Sequence, residues 1–230
     1  MVVRIEINKI KIGGLFMKVL ELFAGKRCIG EAFERKGHEV YSVEWNKELP
    51  NIDWYADIGN ITAKDIIERF GEIDVIWASP DCTSYSIAAI SHHRAKEEDG
   101  NLKAKSDYAK FCDQVNQNVL KLIRDINPKY YFIENPRGGM RKMNFMKALP
   151  RYTVTYCQYG DNRMKPTDIW TNIPNPNFKP MCKNGDPCHV SAPRGSKTGT
   201  QGIKNKEDRS LIPKELCDYI VKICESNIRQ

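Results

Sequence analysis

The stretch KVLELFAGKRCIGEAF (residues 18–33) decides the fold. Its apolar first part is typical of a buried β-strand, and its second part has the apolar spacing of a helix over roughly residues 28–36. Gly25 and Gly30 lie between the two, where glycine lets the chain turn tightly and lets a ligand approach the backbone. The N-terminus of the helix favours an anionic group there. The two glycines alone do not establish a ligand site, because many strand–helix turns contain them.

The same alternation of strand and helix continues along the chain. Further strands are predicted at residues 39–44, 73–78 and 130–135, and helices after Thr62, at about 106–126 and near 140–149. Thr62 is expected to cap its helix because Asp65 follows three residues later. This alternation predicts a mostly parallel α/β sheet with helices on both faces, which binds ligands at the carboxyl ends of its strands.

The composition changes after residue 173. Residues 174–210 contain five prolines and few large apolar residues, so we expect a small irregular lobe. A closing helix is predicted from Pro213 to Ile228. We therefore divide the chain into an N-terminal extension (1–16), a main domain (17–173), the irregular segment (174–210) and a C-terminal helix packed on the main domain (211–230).

Positive charge is concentrated in one part of the chain. The formal net charge is +7, and residues 137–209 hold fourteen Lys/Arg against five Asp/Glu. Such a concentration is expected of a surface that meets phosphates, although a solvated lysine-rich surface has the same composition. We see no secretory signal and no apolar run long enough for a membrane span, so the eight scattered cysteines are expected to be reduced thiols of a cytoplasmic protein.

Polar and aromatic residues lie at the end of the second strand and in the loop beyond it. Glu44 and Trp45 end the second strand, where a carboxylate can accept hydrogen bonds from ribose hydroxyls and an indole can stack on adenine. Asp57 and Ile58 lie in a loop that could reach an adenine amino group. The alternative for these positions is a solvated acid and a packing aromatic side chain.

A thiol and a carboxyl group follow two other strands. One strand runs into SPDCTSYS (79–86), which contains Cys82, and another runs into Glu134-Asn135-Pro136. A lone cysteine is usually a buried structural thiol. The combination of a Pro-x-Cys turn and a Glu-Asn-Pro turn at two strand ends favours a nucleophile instead.

The motifs LELFAG (20–25), Glu44-Trp45, SPDCTSYS and ENP (134–136), in this order and spacing, resemble the DNA cytosine-5 methyltransferase family. The resemblance covers about residues 17–172 and is greatest to short bacteriophage-type members. It implies a class I, Rossmann-like fold, S-adenosylmethionine as cofactor, and methyl transfer to C5 of a flipped cytosine in duplex DNA. It makes 17–173 the catalytic domain and 174–210 a reduced target-recognition segment. Restriction–modification, protection and regulation are all open as roles, in the bacterial host cell if a phage encodes the chain.

The resemblance also assigns roles to residues. Cys82 would attack C6 of the base, Glu134 would act as an acid at N3, and Asn135 would steady the surrounding loop. The predicted cofactor-binding residues are Phe23, Gly25, Lys26, Gly30, Glu44, Trp45, Asp57, Ile58 and Pro80. The predicted DNA-contacting residues are Ser84, Ser86, Arg94, Thr167, Arg194, Lys197 and Gln201. The polar stretch 83–106 is expected to be a structureless, mobile loop that closes over the base.

The sequence departs from the family pattern near the nucleophile. Asp81 stands where the family usually has proline, and its charge would raise the thiol pKa if it pointed inward. We expect it to point away. Lys165 and Thr167 replace two family arginines, so Arg163 or Lys165 is expected to contact O2 of the base. Three alternatives stay open: an RNA cytosine-5 methyltransferase, a DNA-binding relative impaired in catalysis, and transfer of a group other than methyl.

Three potential metal ligands lie close together in the irregular segment. Cys182, Cys188 and His189 could form part of a zinc site. Structural zinc normally has four ligands at tighter spacing. We therefore predict no metal site and ordinary thiols at these positions.

Overall fold

The computed structural model describes residues 16–191, 203 and 205–228. The strands within these residues are β1 (Lys18–Leu22), β2 (Glu39–Glu44), β3 (Trp54–Tyr55), β4 (Val75–Ala78), β5 (Arg94–Lys96), β6 (Leu102–Ala104), β7 (Tyr130–Pro136), β8 (Arg151–Thr155) and β9 (Pro166–Thr171). Seven of these strands form one sheet in the order β3-β2-β1-β4-β7-β9-β8, and β5 and β6 form a separate hairpin. The sheet is parallel from β3 to β7, whereas β9 runs antiparallel to both β7 and β8.

Helices cover both faces of the sheet. The helices of the described chain are α1 (Cys28–Arg35), α2 (Ala63–Phe70), α3 (Ile90–His93), α4 (Asp107–Ile126), α5 (Lys206–Ser210) and α6 (Lys214–Ile228). Helices α1 and α6 pack together over the face that carries Val19 and Trp77. Helices α2 and α4 cover the opposite face, which carries Leu20 and Ile76. Neighbouring residues of one strand thus enter different cores, as the pleat of a strand requires. The predicted mostly parallel α/β fold is confirmed.

Local sequence signals explain where the long helices begin and end. Thr62 and Asp65 form the predicted capping box at the start of α2. The Ser106 side chain accepts a hydrogen bond from the Ala109 amide at the start of α4. This helix ends at Asn127, which takes a left-handed conformation and precedes a proline.

The predicted helix near residues 140–149 is wrong. The structure has two 3₁₀ turns instead, at Gly139–Lys142 and Asn144–Met146. Met140, Met143 and Met146 are buried, and their spacing of three residues matches the three-residue turn of a 3₁₀-helix. A β-carbon on Gly138 would lie 2.5 Å from the Tyr85 carbonyl oxygen, so the glycine allows this segment to pack tightly against the chain after Cys82.

Several predictions fall on parts of the chain that the structure does not describe. Most of the N-terminal extension (1–16) lies there, as do Arg194, Lys197 and Gln201 of the predicted recognition segment. Among the described residues, none of the helices combines the length and the apolar character that crossing a membrane requires.

Candidate active site

The turn between β1 and α1 lies at the carboxyl edge of the parallel sheet. Its backbone is left-handed at Phe23, Gly25 and Arg27, with φ angles of 57°, 52° and 56°. The Gly25 amide donates a hydrogen bond of 3.1 Å to Oε2 of Glu44 at the end of β2. This bond joins the two strand ends that the sequence predicts to bind the cofactor.

Glu44 and Trp45 present different surfaces at the end of β2. Glu44 is buried, and its Oε1 accepts bonds from the amides of Trp45 and Asn46 at 3.0 and 3.1 Å. Each carboxylate oxygen can accept two hydrogen bonds, so Oε2, which accepts the bond from Gly25, has capacity for a ribose hydroxyl. The Trp45 side chain is 68% exposed, which leaves its ring face accessible to a flat ligand.

Gly30 does not lie in a cofactor pocket, so its predicted role is corrected. It belongs to α1 and is buried, and a β-carbon on it would lie 2.4 Å from Oε2 of Glu21. The Glu21 carboxyl group itself occupies this helix N-terminus, where the backbone of Gly30 and Ile29 bonds to it. Burial raises the pKa of Glu21 to about 7 despite these bonds. The glycine therefore serves close packing of α1 on the sheet.

The loop after β3 is only partly available to a ligand. Asp57 is exposed, and its two carboxylate oxygens accept bonds from the Gly59 amide and from Nδ2 of Asn60. The Ile58 side chain is 2% exposed and belongs to the core under α2 and α4. Ile58 could therefore meet a cofactor only through its main chain, and its predicted role stays a prediction. Lys26, in the turn after β1, is exposed.

The register of β4 and β7 brings the predicted catalytic groups to adjacent strand ends. Ala78, the last residue of β4, pairs with Ile133, so the chain leaves β4 beside Glu134, which stays in β7. Asn135 is fully buried, and its Nδ2 donates a bond of 3.0 Å to the Pro80 carbonyl oxygen. Asn135 thus holds the turn before Cys82, in agreement with its predicted steadying role.

Cys82 is half-buried at the beginning of a 3₁₀ turn, Thr83–Tyr85. Burial raises the pKa of its thiol, and the nearby carboxylates of Asp81 and Glu134 raise it further, whereas the Lys165 ammonium group lowers it. The charges of Glu134 and Lys165 act on this thiol because the side chains lie close together. The resting cysteine is therefore a protonated thiol.

Asp81 turns its carboxylate along the chain. Its Oδ1 accepts a hydrogen bond of 2.6 Å from the Thr83 amide, which stabilises the 3₁₀ turn. Its charge nevertheless raises the pKa of Cys82. Asp81 therefore fixes the local backbone while it disfavours the thiolate.

Replacing Asp81 with asparagine is expected to lower the pKa of Cys82, because the negative charge is removed while the amide oxygen can still accept the Thr83 bond. Alkylation of the peptide that contains Cys82, followed by mass spectrometry against pH, should show its midpoint move to lower pH. Asp107→Asn is the control, since Asp107 lies fully in solvent at the start of α4. An unchanged or higher midpoint in Asp81→Asn would contradict this account.

Glu134 is a buried carboxyl group that accepts a hydrogen bond from a tyrosine. Its exposed fraction is 6%, and its Oε1 accepts a bond of 3.0 Å from the Tyr156 hydroxyl. Burial raises the pKa of Glu134, against the lowering effects of Lys165 and Tyr156. Tyr156 was not predicted from the sequence. It follows β8, far along the chain from Glu134, and approaches Glu134 only through the antiparallel β7–β9–β8 pairing.

Lys165 reaches this cluster, whereas Arg163 does not. Nζ of Lys165 lies 4.5 Å from the centre of the Tyr156 ring and donates to the Arg209 carbonyl oxygen at 2.8 Å. The Arg163 guanidinium group is half-buried in a bidentate ion pair with Asp161. The predicted catalytic contact of Arg163 is therefore not favoured: its Nε and Nη2 donate to Asp161, and its Nη1 donates to the Asp208 carbonyl oxygen.

Three predicted DNA contacts are corrected because their side chains are fully buried. Arg94 donates to Ser84 Oγ at 3.0 Å and pairs with Asp113 of α4 at 2.8 Å. The Thr167 hydroxyl donates to the Lys165 carbonyl oxygen. Arg94, Ser84 and Thr167 therefore support the site from within. Ser86, by contrast, is partly exposed after the 3₁₀ turn.

The stretch 83–106 is not structureless, which corrects the prediction. It contains a 3₁₀ turn, α3 and the β5–β6 hairpin. The Arg94 guanidinium group also lies 4.1 Å from the centre of the Tyr85 ring, so it joins the hairpin to the chain after Cys82 and to α4. The buried Arg94 side chain thus anchors this segment to the rest of the protein.

Arg94→Ala is expected to lower the free energy of unfolding by about 3 kcal/mol, because breaking a buried ion pair leaves one charge without its partner. Chemical denaturation followed by circular dichroism would measure this loss. Lys103→Ala is the matched control, since Lys103 is exposed on the same hairpin and should change stability by no more than about 0.5 kcal/mol. Equal stabilities of the two variants would show that the pair does not anchor the hairpin.

The fold and the site together define a class I methyltransferase. Residues 17–160 match the model of the family "C-5 cytosine-specific DNA methylase". The chain belongs to this family. It is therefore an S-adenosylmethionine-dependent enzyme that methylates cytosine at C5 in DNA.

Individual relatives agree with this family. The chain is 26% identical over 226 residues to a "Probable DNA (cytosine-5)-methyltransferase" of Frog virus 3, which covers 90% of this chain and 100% of the viral protein. It is 28% identical over 133 residues to the type II methyltransferase M.FnuDI of Fusobacterium nucleatum, over 56% of this chain and 35% of that protein. The alternative of an RNA-modifying or catalytically impaired relative is not favoured.

A solved structure shows the same fold. A structure described as a DNA modification methyltransferase encoded within an Escherichia coli prophage superposes with a TM-score of 0.51 and 18% identity. The match covers 67% of this chain and 46% of the prophage chain. The present chain thus spans the whole viral relative but less than half of the prophage and Fusobacterium proteins.

Proposed function

We propose that this chain methylates a cytosine flipped out of duplex DNA, through a covalent bond between Cys82 and C6 of the base. The observation that carries this proposal is the placement of Cys82 and Glu134 at the ends of neighbouring strands, close enough for the Glu134 carboxylate to raise the pKa of the Cys82 thiol. A base inside a duplex cannot reach a half-buried thiol, so the target nucleotide must leave the helix stack.

Cys82 and Glu134 have different roles in activating the cytosine ring. The Cys82 thiol first releases its proton to solvent. The thiolate then adds to C6 and forms an S–C6 bond, while N3 takes a proton from Glu134. The electron pair of the former C5–C6 double bond makes C5 a nucleophile, which accepts the methyl group. Loss of the C5 proton to a base and cleavage of the S–C6 bond then restore the ring, and Glu134 recovers its proton. The raised pKa of Glu134 keeps this acid protonated closer to neutral pH.

The residues at the β1 and β2 ends fit the adenosine part of S-adenosylmethionine. We propose that Trp45 stacks on the adenine, that Glu44 accepts the ribose hydroxyls, and that the Phe23–Gly25 turn and Lys26 surround the rest of the molecule. Asp57, exposed after β3, would accept from the adenine amino group. When bound, the cofactor supplies a methyl group on a sulfonium, which is an electrophile for C5.

Lys165 and Pro80 complete the proposed base pocket. Lys165 is half-buried beside Glu134 and Cys82, and a cation there can donate to O2 of the cytosine. Pro80, held by Asn135, shapes the wall between the cofactor and the base. Ser86 is placed to contact DNA because it is partly exposed just beyond the nucleophile. For Arg194, Lys197 and Gln201 the proposal of base contacts rests on their side-chain chemistry alone.

Incubation of the protein with S-adenosylmethionine and duplex DNA, followed by digestion and mass spectrometry of the nucleosides, tests the proposed function. The expected product is 5-methyldeoxycytidine, with a mass increase of one methylene group. A parallel reaction on transfer RNA is the control and should leave the RNA unmodified. Cofactor binding with no modified DNA, or methylation of RNA instead, would contradict the proposal.

A further inference from the structure

Four potential metal ligands lie close together at the end of β8, next to Tyr156, which contacts Glu134. They are Cys157, in the 3₁₀ turn Tyr156–Tyr159, and Cys182, Cys188 and His189, in the irregular segment. One ligand atom from each of the four lies within 4.8 Å of all the others. Three of these residues are recognisable in the sequence, where their spacing and the lack of a fourth ligand led us to predict no metal. The fold supplies Cys157 from 25 residues earlier in the chain.

The distances between these atoms are those of a tetrahedral site with little adjustment. With Zn–S and Zn–N bonds of about 2.3 and 2.0–2.1 Å, tetrahedral ligands lie about 3.8 Å apart for two sulfurs and about 3.5 Å apart for sulfur and nitrogen. Cys188 Sγ lies 3.6 Å from Cys157 Sγ and 3.6 Å from His189 Nδ1. Cys182 Sγ lies 3.7 Å from the same Nδ1 and 3.0 Å from Cys157 Sγ. Of these four pairs only the last has to separate, by less than about 1 Å, and the two remaining pairs of ligand atoms lie within 4.8 Å.

Ordinary burial of thiols explains this cluster less well than a metal does. A core cysteine packs against apolar side chains, whereas these three sulfurs face one another and an imidazole nitrogen. A disulfide would join two of them and leave the third thiol and the histidine without a role. His189 is half-buried, and its Nδ1 already faces the sulfurs of Cys182 and Cys188, so Nδ1 is the nitrogen available for coordination.

The position of the cluster explains why a metal would be useful there. The irregular segment has few large apolar residues and cannot form a core of its own, and a structural metal replaces such a core in small lobes. Two backbone hydrogen bonds already hold the segment near the ligands, from the Cys182 amide to Thr155 Oγ1 and from the Val190 amide to the Asn162 carbonyl oxygen. The metal would add the strong link between the segment and the end of β8.

We propose that Cys157, Cys182, Cys188 and His189 form a structural zinc site of the Cys₃His type. Three thiolates and one imidazole, in a closed tetrahedral arrangement, are the ligand set that structural zinc prefers. The site fastens the reduced recognition segment to the catalytic domain. It also fixes Tyr156, which directly precedes Cys157 and donates its hydroxyl to the catalytic carboxyl group of Glu134.

Metal analysis of the full chain, produced without a metal-binding tag, tests this site. Inductively coupled plasma mass spectrometry should find about one zinc per chain in the unaltered protein. Cys182→Ser and His189→Ala should each lose most of this zinc. Cys28→Ser and Cys82→Ser are the matched controls and should retain it, because both thiols lie outside the cluster.

Cobalt substitution gives a readout that does not depend on how well a variant folds. The unaltered protein, stripped of zinc and loaded with Co²⁺, should show the intense visible bands of tetrahedral cobalt and a sulfur-to-cobalt charge-transfer band. Zinc should displace these bands at one equivalent. Protein that contains no zinc and shows only the weak bands of octahedral cobalt would overturn the proposal. Loss of zinc from the Cys28→Ser or Cys82→Ser control to the same extent as from Cys182→Ser would also overturn it.

Discussion

Cys82→Ser is expected to abolish methylation, with a fall in kcat of at least about 10⁴-fold. The hydroxyl group has nearly the size of the thiol, so the turn held by Asn135 should keep its shape. A serine hydroxyl ionises far less readily than a thiol, and Lys165 is the cation that favours ionisation here. Without addition to C6, C5 of cytosine is a poor nucleophile, and the methyl group has no acceptor.

Binding measurements separate this loss from a loss of structure. Cys82→Ser should bind S-adenosylmethionine and duplex DNA about as tightly as the unaltered enzyme, because the proposed adenosine contacts lie at the ends of β1 and β2. Cys28→Ser is the control for activity, since this half-buried thiol begins α1 and has no part in the reaction. Methylation by Cys82→Ser at a rate within tenfold of the control would show that another group activates the base.

Glu134→Gln is expected to lower kcat by about 10²–10⁴-fold, which is the usual contribution of a general acid. Glutamine preserves the shape of the side chain and can still donate a hydrogen bond to N3, but it has no proton to transfer. The rate of the unaltered enzyme depends on molecules that hold the Cys82 thiolate and the Glu134 acid together. The acid form is lost as pH rises through the raised pKa of Glu134. The break in the pH–rate profile that belongs to this carboxyl group should therefore vanish in the variant.

Tyr156→Phe tests the assignment of that break. The Tyr156 hydroxyl donates to Glu134 and lowers the pKa of its carboxyl group, so its removal should raise this pKa and move the break to higher pH. A purely structural role of Glu134 would leave the position of the break unchanged in Tyr156→Phe. It would also leave the break in place in Glu134→Gln.

Much of the parallel part of the fold could be predicted because its signals are local. The bounds of β2 and the capping box of α2 follow from side-chain alternation and from two polar residues three positions apart. The antiparallel strands β8 and β9 were not predicted, because each is paired by residues distant in sequence. The wrong helix near residue 140 shows how a spacing of three, at Met140, Met143 and Met146, can be mistaken for an α-helical pattern.

Site residues at the ends of strands could be predicted from the sequence. Residues whose polar groups are bonded inside the protein could not. Two motifs at the ends of the adjacent strands β4 and β7 contain Cys82, Glu134 and Asn135, so these motifs give their positions. Arg94 and Thr167 have the chemistry of DNA contacts, but Asp113 and the Lys165 carbonyl oxygen take up their polar groups inside the protein. Burial of this kind depends on tertiary packing, which a local pattern does not contain. The same limit concealed Cys157 as the fourth member of the metal cluster.

Reaction with duplex DNA that contains 5-fluorocytosine at the target position tests the central claim most directly. With fluorine in place of hydrogen, C5 has no proton to lose. After methyl transfer the S–C6 bond should therefore persist and hold the protein on the DNA. Digestion and mass spectrometry should then find the modified base on the peptide that contains Cys82, only when S-adenosylmethionine is present. An adduct on another cysteine, or one formed equally by Cys82→Ser, would contradict the assignment of Cys82 as the nucleophile.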